Sequence, residues 1–151
     1  MVVVRRVAED ADRVVTVAVR DDRDRSALMY AARTARLHDA SLRVVGVWVF
    51  YQNVGSMATV FKDTSRLAEA ESKATSRMVN PVRREFPDLK VTVETVRAGS
   101  VAGALLEAAT DTELLVTGTR NPAHRIGHPL GQVTHAVLHH APCPVAVIPR
   151  G

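Results

Sequence analysis

The residues with the most evident chemistry lie near the end of the chain, in VTGTRNPAHRIGHPLGQVTH, which runs from Val116 to His135. A strand-like VTG leads into a loop holding two prolines, two arginines and two histidines, and Gly131 then opens a helical pattern. Glycine lets backbone approach a ligand closely, and the first amides of a helix have no intrahelical acceptor, so such a loop can cradle a phosphate. Two other readings compete with it: the histidines hold a metal, or the glycines merely turn a corner.

His135 and His139 are four residues apart and share one face of a helix. The stretch HAVLH lacks the glutamate of a metalloprotease HExxH, and no third ligand is set by spacing, so exposed helix histidines are the plainer reading and no metal is expected. Cys143 stands between two prolines ahead of an apolar run, the setting of a buried structural thiol. No G-x-S-x-G elbow accompanies the serines and histidines. Nothing here forms a catalytic constellation, and a non-enzymatic binding module is expected.

The elements that must position the loop are legible from periodicity. Val14–Val19 (VVTVAV), Leu42–Val49, Leu89–Val96, Glu113–Thr117 and Val145–Ile148 read as strands, the first as a continuous β-branched run suited to burial on both faces. Between them, Ser26–His38 places Leu28, Ala31, Ala35 and Leu37 near one helical face. A second helix, capped at Asp63 or Thr64, sets Leu67, Ala70, Ala74 and Met78 inward, and Asn80-Pro81 disturbs its end. Ser100 caps a third helix with Val101, Leu105 and Ala109 inward, and Gly131–His140 forms the fourth. The connection Phe50–Lys62, with Gly55, is long enough to act as a lid; the alternative is that its apolar Val54, Met57, Val60 and Phe61 pack at a dimer contact. Strict β-α alternation argues for a parallel sheet with helices on both faces, whose ligands bind beyond the carboxyl ends of the strands at the switch point in strand order. The loop after Gly118 leaves the fourth strand there.

The 151 residues suit one domain, 1–151, with 46% hydrophobic and 24% charged residues, the balance of a soluble globular protein. No apolar run approaches the ~20 residues of a membrane span, MVVVRR lacks a signal-peptide core, and a lone cysteine excludes an internal disulfide, so a cytoplasmic setting is expected. The net charge of +4 is spread through mixed-sign stretches such as RDDRDR, which marks a solvated surface and not a nucleic-acid footprint.

From Val14 to Pro149 the chain resembles the universal stress protein family, through VVTVAV, ALMYAARTARLHDASLRVVGVWV, AGSVAGALLEAATDTELLVTGTR and LGQVTHAVLHHAPCPVAVIP. The resemblance implies a Rossmann-like α/β fold: an open five-stranded parallel sheet in the order 3-2-1-4-5. Nucleotide-binding members carry a glycine, two residues, a glycine, nine residues, a glycine and then Ser or Thr. Gly118 and Gly131 match the first and third glycines, Asn121 stands at the second, and Gln132 replaces the hydroxyl residue. Asparagine is the most tolerable substitute at a positive φ, whereas Gln132 removes a short hydroxyl from beside the phosphates. The amides of Gln132, Val133 and Thr134 remain, Thr134 matches a family position whose hydroxyl meets the phosphates, and Arg120, with Arg125 more loosely, adds positive charge.

On the adenine side the family places an acid directly after the first strand. Here Val19 is followed by Arg20 and Asp21, so either Asp21 supplies the acid or Arg20 changes which ligand is accepted. Val47 matches an adenine-lining position and is equally a plain core valine. The resemblance thus implies a weak binder of ATP or AMP, a sensor or carrier without fast turnover; the alternative is a nucleotide-free dimeric interaction module. A homodimer is expected through the last strand, at Val145 and Val147, because an apolar edge strand invites pairing and the family commonly pairs it.

Overall fold

The structure, a computed structural model, describes residues 2–3, 13–49, 60–119 and 131–150. Six strands form one sheet: β1 (Val2–Val3), β2 (Val14–Val19), β3 (Ser41–Val49), β4 (Val91–Ala98), β5 (Leu114–Gly118) and β6 (Val145–Ile148). Among the described residues four α-helices link β2 through β6: α1 (Arg25–Leu37), α2 (Val60–Glu85), α3 (Val101–Ala108) and α4 (Gln132–His140). The sheet runs β1-β6-β5-β2-β3-β4, and every pairing among β2 to β6 is parallel. Counting the five expected strands alone, the order is 3-2-1-4-5.

The apolar runs explain themselves in two cores, one on each face. Val15, Val17, Val19, Leu114, Val116 and Ala146 join α1 and the end of α2 on one side. Leu115, Val145 and Val147 point the other way and join Leu105, Ala109, Val137 and Cys143 under α3 and α4. Successive residues of a strand face opposite sides, so a strand covered on both is apolar along most of its length, and the buried Thr16 of β2 is hydrogen-bonded to Thr112. Ser100 caps α3 as expected, accepting from the Gly103 amide at 3.2 Å.

Three expectations need correction. β6 is not an open edge: β1 pairs with it antiparallel, Val2 opposite Ala146 and Val3 opposite Val145. Its side chains at Val145 and Val147 are 1% and 3% exposed within a single chain. A charge at either would therefore break the core and could not report on a dimer. Second, Leu37 at the end of α1 is 78% exposed, outside the stripe formed by Ala27, Leu28, Ala31, Ala32 and Ala35.

Third, α2 starts at Val60, ahead of Asp63 and Thr64, continues through Pro81, and presents a different face. Glu71, Thr75, Val79 and Val82 are buried, whereas Leu67, Ala70 and Ala74 are exposed. Apolar periodicity misled here because two inward positions are polar, one hydrogen-bonded to backbone and the other facing an arginine without a hydrogen bond. The Thr75 hydroxyl donates to the Glu71 carbonyl at 3.0 Å, and the Glu71 carboxylate lies 3.6 Å from Arg97. Residues 50–59 of the expected lid lie outside the described residues.

Candidate functional site

The switch point falls between β2 and β5, where β3 continues the sheet on one side and β6 on the other. At the carboxyl ends of these strands Gly118 is the meeting place. On one flank α4 begins at Gly131, whose φ of 77° and ψ of 153° are open to glycine and strained for other residues. The first intrahelical bond runs from the His135 amide to the Gly131 carbonyl at 3.0 Å, so the amides of Gln132, Val133 and Thr134 precede the helical ladder. Thr134 is buried, and its hydroxyl lies 3.5 Å from the Gly118 carbonyl, the outer limit of a hydrogen bond. Gln132 is exposed and Val133 half-buried.

On the other flank stand acids. Asp21 caps the short helical turn Asp22–Asp24, accepting from the Arg23 amide at 2.9 Å. Asp24 is 5% exposed and accepts from the amides of Arg20, at 2.8 Å, and Asp21, at 3.3 Å. Both carboxylates meet Arg150, just beyond β6: Nη2 donates to Asp21 Oδ1 at 2.8 Å and to Asp24 Oδ2 at 3.1 Å. Nε lies 2.8 Å from Asp24 Oδ1 without hydrogen-bond alignment. Burial opposes ionisation of Asp21, but the Arg23 amide and the Arg150 guanidinium outweigh it and hold its carboxyl below the usual aspartate range. Gly118 permits this packing, because a Cβ there would lie 2.6 Å from Asp24 Oδ1 and 2.9 Å from Arg150 Cγ.

Of the expected site residues, Gly118, Gly131, Gln132, Val133 and Thr134 share the α4 flank, and Arg20 and Asp21 the β2 flank. Val19 and Val47 do not face one another. Val19 sits in the α1 core, whereas Val47 and Val133 each pack against the α3–α4 core. Arg120 and Asn121, with Arg125, lie outside the described residues. The exposed Arg20 side chain leaves the acid role to its neighbours, and the residues missed from sequence are Asp24 and Arg150. Their signal lies in the topology and not in local pattern: in a parallel sheet, residues just after β2 and β6 emerge at the same edge.

His135 and His139 do share a face, their ring centroids 4.3 Å apart. Among the described residues no group of three or more His, Cys, Asp or Glu is placed to hold a metal ion. No helix among them is long and apolar enough to cross a membrane. An open groove of about 680 Å³, lined by Arg13, Arg36, Asp39, Glu85, Asp88 and Lys90 among others, lies at the amino ends of the strands, the edge opposite the glycines. Its mixed charges converge on no single group, so strand topology is the better guide to the site.

A parallel sheet with a glycine-started helix at its switch point defines an α/β protein of the doubly wound kind. A model described as the universal stress protein family matches residues 12–149, and the chain belongs to that family. A universal stress protein of Mycobacterium tuberculosis is 30% identical over 128 residues, 83% of this chain and 44% of that protein. The chain thus spans less than half the length of this curated relative. Among solved structures, universal stress protein UspA from Lactobacillus plantarum superposes with a TM-score of 0.71 at 20% identity, covering 93% of this chain and 99% of that one. A universal stress protein in complex with cAMP gives 0.67 at 19% identity, covering 94% and 100%. At these identities the structural likeness concerns the fold.

Proposed function

We propose that the chain is a small-ligand-binding module whose crevice takes the phosphates of an adenine nucleotide, ATP or AMP, at the start of α4. It binds weakly, as a sensor or carrier without fast turnover. The observation that carries this reading is the conformation of Gly131, which frees the amides of Gln132 to Thr134 beside the carboxyl end of β5. The cAMP complex of a structurally similar family member supports an adenine nucleotide as the ligand class. Slow phosphohydrolysis is disfavoured, because the described acids nearest the glycines, Asp21 and Asp24, are engaged by Arg150 and offer no general base.

Gln132 stands where nucleotide-binding members have a hydroxyl, and a hydrogen bond to a charged group contributes ~1.5–3 kcal/mol, or roughly ten- to hundredfold in affinity. Gln132→Ser should tighten ATP binding by about that factor in calorimetry, while Thr134→Ala should weaken it. Undetectable binding in Gln132→Ser would replace the nucleotide reading with the nucleotide-free interaction module.

We propose homodimerisation through the same side of the sheet, with the β1–β6 edge in place of a bare β6. Light scattering should return about twice the 16.4 kDa chain mass. The mass of one chain at high micromolar concentration would refute the dimer.

A further inference from the structure

We infer that Arg150 is an internal latch: its guanidinium occupies the acidic end of the crevice, and a ligand that reaches Asp21 and Asp24 must displace it. The inference rests on the nucleotide reading above and adds a regulated entrance to it. Three chain segments meet there, the turn after β2, the end of β5 and the residues after β6. The Arg150 side chain is 11% exposed, and its aliphatic stem covers Gly118, where a Cβ would fall 2.9 Å from Cγ and 3.2 Å from Cδ. Its fork spans both carboxylates, with Nη2 at 2.8 Å from Asp21 and 3.1 Å from Asp24. The floor of the switch-point crevice is therefore occupied by the chain itself.

The latch is also imperfect, which makes it displaceable. Nε is buried 2.8 Å from Asp24 Oδ1 but out of line for a hydrogen bond, so part of its desolvation cost is not recovered. Asp21 keeps a second cation, Arg23, 3.4 Å away, and so remains partly compensated when Arg150 leaves. A replacement must present several N–H or O–H donors to two carboxylates. The exocyclic amine of an adenine, or a pair of ribose hydroxyls, supplies such donors, and a further phosphate does not. Displacement would free the segment after β6 and convert occupancy into a change at the sheet edge.

The test uses the full chain with ATP as probe, comparing wild type, Arg150→Ala and Arg150→Lys by calorimetry. If the latch is closed about nine-tenths of the time, removing it raises apparent affinity by about tenfold. Arg150→Ala should show that gain and Arg150→Lys, which cannot fork, an intermediate one. Saturating ATP should also turn the Arg150 Nε–H of the wild type from slow to fast solvent exchange in nitrogen-15 NMR. Unchanged or weaker ATP binding in Arg150→Ala, with circular dichroism intact, overturns the latch and makes Arg150 a brace or a neutralising charge. Should Arg150→Ala not fold, the lysine variant and the NMR exchange decide.

If ATP binds none of the three proteins, the nucleotide reading fails, and the latch is judged with methylguanidinium. That cation should bind and thermally stabilise Arg150→Ala but not wild type. No such difference overturns the latch itself.

Discussion

Gly131→Ala should destabilise the chain by about 1–3 kcal/mol and abolish whatever anion binding the wild type shows, because φ of 77° with ψ of 153° is a region that side chains with a Cβ rarely enter. For a chain of this size that is a fall of roughly 3–10 °C in melting temperature. The two readouts separate two causes. If the substitution re-aims the backbone, the amides of Gln132 to Thr134 turn away from the crevice and calorimetric binding disappears even well below the melting temperature. An alanine variant that melts and binds like wild type would show that Gly131 is not held in the conformation on which the phosphate site depends.

Arg43→Met should cost about 2–3 kcal/mol, since the guanidinium makes hydrogen bonds that a thioether cannot replace. Nearly buried in β3, Arg43 donates to Asp111 Oδ1 at 2.7 Å and Oδ2 at 3.1 Å, to the Ala108 carbonyl at 2.6 Å and to Thr16 Oγ1 at 3.1 Å. Thr16 in turn donates to Thr112, which donates to the Val14 carbonyl, so one arginine ties the end of α3 to the first two parallel strands. The Arg43 hydrogen bonds outweigh the opposing effect of burial and hold the Asp111 carboxyl below the usual aspartate range. That contribution to stability is present above the unfolded aspartate pKa and is lost as pH falls through the lowered folded value.

Chemical denaturation between neutral pH and pH 3 should therefore show a shallower acid loss in Arg43→Met than in wild type. Asp111→Asn, at an exposed site, should cost under about 1 kcal/mol at neutral pH. An arginine variant as stable as wild type would reduce the network to a surface ornament.

How much of this was legible beforehand follows from what each signal depends on. Alternation of apolar runs and helical stripes gave five parallel strands, since a strand buried on both faces is mostly apolar regardless of its neighbours, and the family resemblance gave their order. Whereas the crowding over Gly118 comes from the distant side chains of Asp24 and Arg150, Gly131 was legible for a similarly local reason, its positive φ being a demand of the backbone itself. The inward face of α2 was not, because Glu71 and Thr75 look solvent-seeking until Arg97 and a backbone carbonyl are brought to them.

Nor could local pattern say that β6 has a neighbour, since a two-residue strand has no periodicity to read and exists by pairing with a partner more than a hundred residues away. The acidic end of the crevice is the clearest case. The stretch RDDRD is one more solvated charge run by composition, and Arg150 is one arginine among many. Parallel strands leave the sheet at a common edge, so the fold sets residues 21, 24 and 150 against one another over Gly118. Burial then turns a surface charge pattern into a closed network that no local sequence pattern contains.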